Sequence, residues 1–168
     1  MKSMNEMVNK YPDLLQDGEL QLAYRAILSF VNKMKIKIKK EYPEYIVGTT
    51  YQGQMDISFF SVSTKILQEY GLKILVIYKH IDNTFYLWLS GRNREIARNL
   101  EHIFDSLMDN SSIYHDKNNK DSILEYRVTE TPDFDHQEEM ISIIQSQLIK
   151  FISMVEKQLL LKDGDNSE

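Results

Sequence analysis

The chain has 168 residues, 42% of them hydrophobic, and it carries a formal net charge of −5. This length and composition fit a single domain whose core is stable without a metal or a crosslink. The sequence contains no cysteine, which excludes disulfide bonds, thiolate zinc sites and cysteine nucleophiles.

The amino-terminal segment MKSMNEMVNKYPDLL lacks the long apolar stretch of a signal peptide. No window of the sequence approaches the ~18 consecutive apolar residues that a membrane-spanning helix needs. The absence of cysteine is compatible with a reducing compartment. We therefore expect a soluble protein of the cytoplasm with no membrane partner.

Residues 19–40 are predicted to form an amphipathic helix that begins after the candidate N-cap Asp17. Its apolar positions recur at helical spacing and are Leu20, Ala23, Tyr24, Ile27, Val31, Met34 and Ile38. The segment also carries five lysines, which are Lys33, Lys35, Lys37, Lys39 and Lys40. A basic run can contact phosphates, but the acidic chain lacks the charge of a nucleic-acid-binding protein. We expect a solvated helix face here and no nucleic-acid partner.

Four strand-like segments follow. Residues 45–51 and 55–62 are rich in β-branched and aromatic residues, and the Gln52-Gly53-Gln54 segment between them predicts a short hairpin turn. Residues 63–70 predict a brief helical turn that ends at Gly71. The most apolar segment, residues 72–79, predicts a central strand, and residues 84–89 are expected to pair with it.

The second half of the chain predicts two further helices and one strand. Residues 93–108 have one apolar side, residues 109–121 form a polar loop, and residues 123–128 predict a strand. A final helix is expected after the capping-box spacing of Asp135 and Glu138. We expect one domain over residues 1–162, followed by a frayed tail at 163–168.

The predicted element order is α-β-β-β-β-α-β-α. Hairpin-length links between the first four strands favour antiparallel pairing over parallel β-α-β units. The expected fold is therefore α+β, with a single mainly antiparallel sheet of about five strands and helices packed on one face.

The segment FYLWLSGRNRE, residues 85–95, ends an apolar strand at two arginines. Asn93 can cap the following helix, and Arg92 and Arg94 add positive charge where the helix dipole already favours an anion. Two explanations remain open. Either carboxylates of the same fold neutralise the arginines, or the arginines hold an external anion such as a phosphate or a carboxylate ligand.

A second candidate lies in YQGQMDISFF, where Asp56 falls on a strand with a partly apolar face. A carboxyl group there could have a raised pKa and act as an acid or base. The alternative is an aspartate at the edge of the sheet that is hydrogen-bonded to a turn or to an arginine. We predict a pocket where residues 52–56 meet the helix start, with Gln52 and Asp56 orienting a ligand and Trp88 forming an apolar wall.

Known catalytic and cofactor patterns are missing from the sequence. It has no glycine-rich nucleotide loop, no G-x-S-x-G elbow and no histidine pair at zinc-ligand spacing. The acidic cluster near the final helix contains Glu125, Glu130, Asp133, Asp135 and His136, and capping explains it better than a cation site. We therefore assign no catalytic residue, no cofactor and no metal ligand.

Three groups of residues resemble an uncharacterised family of bacterial proteins. They are Tyr51-Gln52-Gly53 with Met55-Asp56, Trp88-Leu89-Ser90-Gly91 with Asn93-Arg94, and Pro132-Asp133-Phe134. The resemblance spans about residues 18–155. It implies no known activity, but it suggests that the two candidates above belong to one site.

Three functions remain compatible with the sequence. The first is a binding protein for a small anionic ligand. The second is a protein-interaction module similar to small α+β secretion chaperones, which would form a homodimer and use the sheet or the final helix as its docking face. The third is a degenerate metal-dependent nuclease or hydrolase, which would need Asp56 and Glu125 close to a common point.

Overall fold

The protein is described by a computed structural model that covers residues 1–109, 112–129 and 131–166. Its helices are α1 (Met4–Leu15), α2 (Glu19–Glu41), α3 (Lys65–Glu69), α4 (Arg94–Leu100), a 3-10 helix (Glu101–Asp109) and α5 (Gln137–Asp165). Its strands are β1 (Ile46–Val47), β2 (Ile57–Ser63), β3 (Leu72–Lys79), β4 (Thr84–Gly91), β5 (Ile113–Tyr114) and β6 (Leu124–Arg127).

The six strands form one open sheet in the order β1-β2-β3-β4-β6-β5, and every neighbouring pair is antiparallel. This confirms the predicted α+β fold class and the single antiparallel sheet. The sheet has one strand more than the five that were named individually. The additional strand, β5, lies in the segment predicted as a polar loop, because two residues are too few to show an alternating pattern.

Helices cover one face of this sheet and form the main core with it. Along each strand every second side chain points to that face, where it meets the apolar sides of α2 and α5. The largest fully buried members are Phe30, Phe60, Phe85, Phe104, Phe151, Met34, Ile38, Leu67, Ile74, Ile77, Leu87 and Leu89, and of these Ile77 alone belongs to the opposite face. The 3.6-residue pattern of α2 predicted the burial of Val31, Met34 and Ile38, but it omitted Phe30 and included the exposed Ala23.

The opposite face of the sheet carries a smaller apolar cluster made of strand residues alone. Leu75, Ile77 and Tyr86 are buried in it, and Ile57, Phe59 and Trp88 pack around them. Within the described part of the chain, no helical residue belongs to this cluster. We call this side of the sheet the open face.

Several local predictions need correction. Helix α1 was not predicted, although Ser3 and Glu6 form a reciprocal capping box at its start. The predicted hairpin at residues 52–54 is a longer loop, because an isolated bridge pairs Tyr51 with Phe59, which lies within β2. The expected capping box of α5 does not form: His136 is the N-cap residue and makes no side-chain capping bond.

Two further element boundaries differ from the predictions. The helix expected over residues 93–108 changes after seven residues of α4 into the 3-10 helix. Helix α5 extends to Asp165, so residues 163–165 of the predicted tail are helical, whereas residues 167 and 168 lie outside the described part. None of the described helices has the length and apolar character needed to cross a membrane.

The loop before β2 depends on Gly53, which provides a test of the fold. Gly53 has φ +74°, and a Cβ at this position would lie 2.0 Å from the carbonyl oxygen of Ile57. We expect Gly53→Ala to lower the free energy of unfolding by about 2 kcal/mol or more, because strain and a backbone clash add.

The matched control is Gly164→Ala in α5, where a Cβ meets no atom within 4 Å. Because alanine favours a helix over glycine, we expect the free energy of unfolding of this variant to rise by less than about 1 kcal/mol. Urea unfolding of both variants measures the difference. Equal stabilities of the two variants would contradict the loop geometry.

Candidate functional site

The two halves of the predicted pocket lie at opposite ends of the sheet. Asp56 precedes Ile57, and Ile57 pairs with Lys79 at the carboxyl end of β3. Arg92 follows Gly91, which pairs with Leu72 at the amino end of the same strand. Seven residue-to-residue steps along β3 separate the two ends, which is roughly 23 Å. The prediction of one shared pocket was therefore wrong: in three consecutive antiparallel strands, the start of the first and the end of the third are far apart.

At the first end, the Asp56 carboxylate is part of its own turn. Its Oδ1 atom accepts a hydrogen bond of 2.9 Å from the backbone N–H of Gln54. Hydrogen bonds from the N–H groups of Gln54 and Ile57 hold the pKa of Asp56 below its usual value, so the exposed group stays ionised. This supports the turn alternative and removes the idea of an acid with a raised pKa.

The backbone of the predicted ligand-orienting residue Gln52 is bound within the fold, whereas the residue itself is exposed. Its backbone carbonyl accepts hydrogen bonds from Ser58 Oγ at 2.6 Å and from the hydroxyl of Tyr24 at 3.3 Å. The Ser58 oxygen lies 2.8 Å from Nε2 of His80. Because the single Ser58 proton goes to the Gln52 carbonyl, we infer that the histidine donates to Ser58.

The Ser58–His80 pair was not found by sequence reasoning, since the two residues are far apart in the chain and form no known motif. Ser58 is fully buried. The His80 ring contacts the rings of Tyr24 and Tyr78, with centroids 5.5 and 4.9 Å away. Burial lowers the pKa of His80, and the nearby Asp56 charge opposes this shift. The pair connects loop and sheet, and its buried hydroxyl is not accessible to a substrate.

At the second end, the two predicted arginines differ. Arg94 lies 3.2 Å from Asp121 Oδ1, and both side chains are largely exposed. Arg92 has no carboxylate within ion-pair distance in the described part of the chain, and its backbone N–H donates to the carbonyl of Gly71 at 2.7 Å. Asn93 is the N-cap of α4, and its Oδ1 accepts from the N–H of Ile96 at 2.9 Å. Internal neutralisation therefore accounts for Arg94 but not for Arg92.

Two cavities meet beside Arg92 on the open face. The first has a volume of about 390 Å³, and its polar lining includes Ser61, Gln68, Lys73 and Arg92. The second has a volume of about 230 Å³ and is also lined by Lys73 and Arg92. Among the described residues, no carboxylate lines the first cavity, and only Asp121 lines the second. We call these two adjoining spaces the cationic groove.

The position of the groove follows from the sheet register. Leu75 pairs with Ser61 on β2, so their side chains lie on the same side of the sheet. Lys73 lies two residues from Leu75, and Ser63 lies two residues from Ser61, so both point to that side as well. Gly48 keeps the first cavity open beside β2, because a Cβ there would lie 2.4 Å from Ser61 Oγ. Sequence reasoning missed Lys73, whose isolated charge inside an apolar strand was the available signal.

Trp88 is the one predicted apolar residue that lies next to the groove. It pairs with Leu75, which lines the second cavity, and its indole is half-buried on the open face. Its Nε1 atom is buried and has no hydrogen-bond partner among the described residues. On its other side lies Glu125, a buried carboxylate that accepts 2.7 Å hydrogen bonds from Asn119 and Ser122.

The arrangement of carboxylates does not support a metal-dependent nuclease. Asp56 precedes β2 and Glu125 lies on β6, so three strand spacings of about 14 Å in total separate them. In the part of the chain that the structure describes, no three His, Asp or Glu side chains are grouped to hold a metal ion. Asp133 instead accepts hydrogen bonds from the N–H groups of Asp135 and His136. Glu130, assigned to the same acidic cluster, lies outside the described residues.

The family of the chain agrees with the resemblance found in its sequence. The model of a family described as "Domain of unknown function (DUF7000)" matches residues 4–159, so the chain belongs to that family. No curated protein and no solved structure matches the chain. The family membership therefore brings no activity with it, and function has to be argued from the groove itself.

Two histidines provide a pH test of the site geometry. Burial lowers the pKa of His80, whereas the Asp133 carboxylate raises the pKa of the exposed His136. We expect the imidazole NMR signals of His80 to titrate below about 6.5 and those of His136 above it. Asp56→Asn should lower the His80 midpoint further, and Asp133→Asn should bring the His136 midpoint down. The reverse order of the two midpoints would contradict the assigned environments.

The sign of the stability effect follows from the same shifts. Because the folded-state pKa of His80 is lowered, the unfolded chain binds the proton more readily. The contribution of neutral His80 is therefore complete above about pH 6.5 and is lost as the pH falls through its folded-state pKa. We expect the free energies of unfolding of the wild type and of His80→Gln to differ at pH 7 and to approach each other as the pH is lowered to 5.

Proposed function

We propose that this protein binds a small anionic ligand with a phosphate or similar group in the cationic groove. The observation that carries this proposal is that Lys73 and Arg92 line both cavities of the groove. In the described part of the chain, neither cation has a carboxylate partner, and the only carboxylate of the lining is already paired with Arg94. A ligand anion would supply the missing negative charge.

The energetics favour an anion at this position. Lys73 is half-buried, so its ammonium group is partly removed from water and gains from a charged partner. Hydrogen bonds between ionised groups contribute about 1.5–3 kcal/mol each, and a guanidinium can bind two oxygens of a phosphate at once. Lys73 and Arg92 make this surface locally positive on a chain whose overall charge is −5.

The proposal differs from the sequence-based hypothesis in the groups that hold the anion. Helix α4 has seven residues, and Asn93 already caps one of its free N–H groups. The anion is therefore bound by the side chains of Lys73 and Arg92, with the Ser61 hydroxyl as a third donor. The helix start contributes the turn that carries Arg92 to the edge of the groove.

The alternative, a protein-interaction module, is favoured by a different feature of the final helix. An apolar cavity of about 540 Å³ adjoins α5, and its lining includes Leu107, Ile113, Tyr126, Phe151 and Met154. As in the sequence-based hypothesis, its partner would be a second copy of this chain. Sedimentation as a monomer at all concentrations would exclude this homodimer.

We also propose a cytoplasmic location in a bacterial cell. The cysteine-free composition supports a reducing compartment, and the resemblance of the sequence to bacterial proteins supports a bacterial source.

The first test removes one cation of the groove at a time. We expect Arg92→Gln and Lys73→Gln each to weaken pyrophosphate binding about ten- to a hundredfold, because each removes a charge-assisted hydrogen bond. Isothermal titration calorimetry at low ionic strength measures the affinity. The matched control is Arg25→Gln, which removes an exposed guanidinium from α2 and should leave the affinity unchanged. An equal loss in all three variants, or no binding by the wild type, would contradict the proposal.

The second test changes the carboxylate of the groove. Asp121→Asn removes a negative charge from the lining and frees Arg94 from its ion pair. We expect pyrophosphate to bind a few-fold more tightly to this variant, with little change in stability because exposed ion pairs contribute about 0–1 kcal/mol. Weaker binding would show that the Arg94–Asp121 pair positions the site and does not oppose the ligand.

A further inference from the structure

The cationic groove continues directly into an aromatic surface. Leu75 lines the second cavity and pairs with Trp88, whose indole is half-buried on the open face. The next paired positions on the same side are Phe59, Ile77 and Tyr86. The Phe59 ring is half-buried as well. A ligand held in the groove therefore has flat apolar side chains beside it.

The spacing between the charged and the aromatic parts is set by the strand repeat. Lys73 and Leu75 are two residues apart on β3, and their partners Ser90 and Trp88 are two residues apart on β4. Two residues of a strand span roughly 7 Å. This is the scale of a sugar placed between a phosphate group and a planar ring.

Resting on the proposed function, we propose that the ligand is an aromatic phosphate of the mononucleotide class. Its phosphate binds Lys73 and Arg92 in the groove, and its planar base lies on the surface formed by Leu75 and Trp88. The protein supplies cations at one end of the ligand and a stacking surface at the other. A base can stack on an indole whatever its identity, so this surface selects for an aromatic ring and not for one base.

The charges on the rest of the open face favour a mononucleotide over a nucleic-acid strand. Beyond Trp88 lies the buried carboxylate of Glu125, which disfavours a second phosphate there. Toward the far end of β3, Lys79 already pairs with Asp82 at 3.1 Å. The exposed Arg127 lies near that end too, and its guanidinium donates to the hydroxyl of Thr84 at 3.4 Å. Among the described residues of this face, Lys73 and Arg92 thus lie together without a carboxylate partner, whereas Arg127 lies at the other end and contacts Thr84, which fits a ligand charged at one end only.

The experiment compares four probes on the full chain: adenosine 5′-monophosphate, ribose 5-phosphate, adenosine and pyrophosphate. Affinities come from isothermal titration calorimetry. Ring contact is followed by the fluorescence of Trp88, the single tryptophan. We expect the nucleotide to bind about tenfold more tightly than ribose 5-phosphate, because a stacked base adds to the phosphate contacts. The nucleotide, and not pyrophosphate, should quench the fluorescence strongly.

Two variants locate the stacking surface. Trp88→Leu keeps an apolar side chain but removes the aromatic ring, so it should reduce the affinity for the nucleotide to that for ribose 5-phosphate and leave the latter unchanged. Trp88→Phe should retain most of the preference. The melting temperatures of both variants show whether either has lost its fold. If Trp88→Leu does not fold, the affinities of Trp88→Phe and the wild type are compared instead.

The outcomes separate this inference from the proposed function. Equal affinities for the nucleotide and ribose 5-phosphate, with pyrophosphate still bound, would overturn the aromatic ligand and leave anion binding in place. Failure of every phosphate probe to bind would overturn both. An oligonucleotide that binds much more tightly than the mononucleotide would overturn the assignment to a small molecule, and so would a stable dimer that Trp88→Leu dissociates.

Discussion

In an antiparallel sheet, residues paired across two strands lie on the same side, and in the described part of this chain helices cover only one of the two sides. Strand β3 pairs with β4 over its whole length and with β2 from Ile74 to Lys79. The register of this one strand decides which side chains enter the helix-covered core and which remain on the open face. Lys73, Leu75, Ile77 and Lys79 are on the open face, so the apolar middle of the strand has a lysine at each end.

These two lysines explain why one end of the open face is structural and the other is a candidate site. The apolar side chains in the middle bury one another, and each gains about 1.5–3 kcal/mol if it is removed fully from water. The ammonium group of Lys79 lies 5.5 Å from the centre of the Tyr86 ring and pairs with Asp82. That of Lys73 has no carboxylate partner in the described part of the chain and faces the groove beside Arg92. The same residue type on the same face thus stabilises the fold at one end and is available to bind a ligand at the other.

The sequence predicted the elements whose pattern is long or strongly punctuated. Residues 72–79 of β3 were predicted to the residue, and α2 differs by one residue at its end. The extra strand β5 and the capping-box helix α1 were missed. Helix α1 buries no residue, although apolar side chains recur along it at helical spacing and are exposed, namely Met4, Met7, Val8, Tyr11 and Leu14. The family resemblance was sound, but it had suggested that two motifs form one site. Strand directions separate them, and the antiparallel pairing predicted for residues 55–62, 72–79 and 84–89 already implied that the two motifs lie at opposite ends of the sheet.

Part of the charge distribution around the groove was predictable from the sequence. Two arginines after an apolar strand correctly marked one end of the sheet as basic. Arg94 has an internal partner because a long loop brings Asp121 to it, and the sequence near Arg94 does not show this. The sequence near Arg92 likewise does not show whether that residue has a carboxylate partner. Lys73, which completes the groove, was hidden inside the strand that the sequence described best.

The central claim is that a ligand anion binds on the open face at the amino end of β3. The most direct measurement is the change of backbone amide NMR signals when pyrophosphate is added. The account predicts changes concentrated at residues 46–48, 61–63, 71–73 and 90–94, with the far end of β3 near Asp56 and Lys79 unaffected. Changes confined to the apolar cavity of α5, spread over the five lysines of α2, or missing altogether would contradict it.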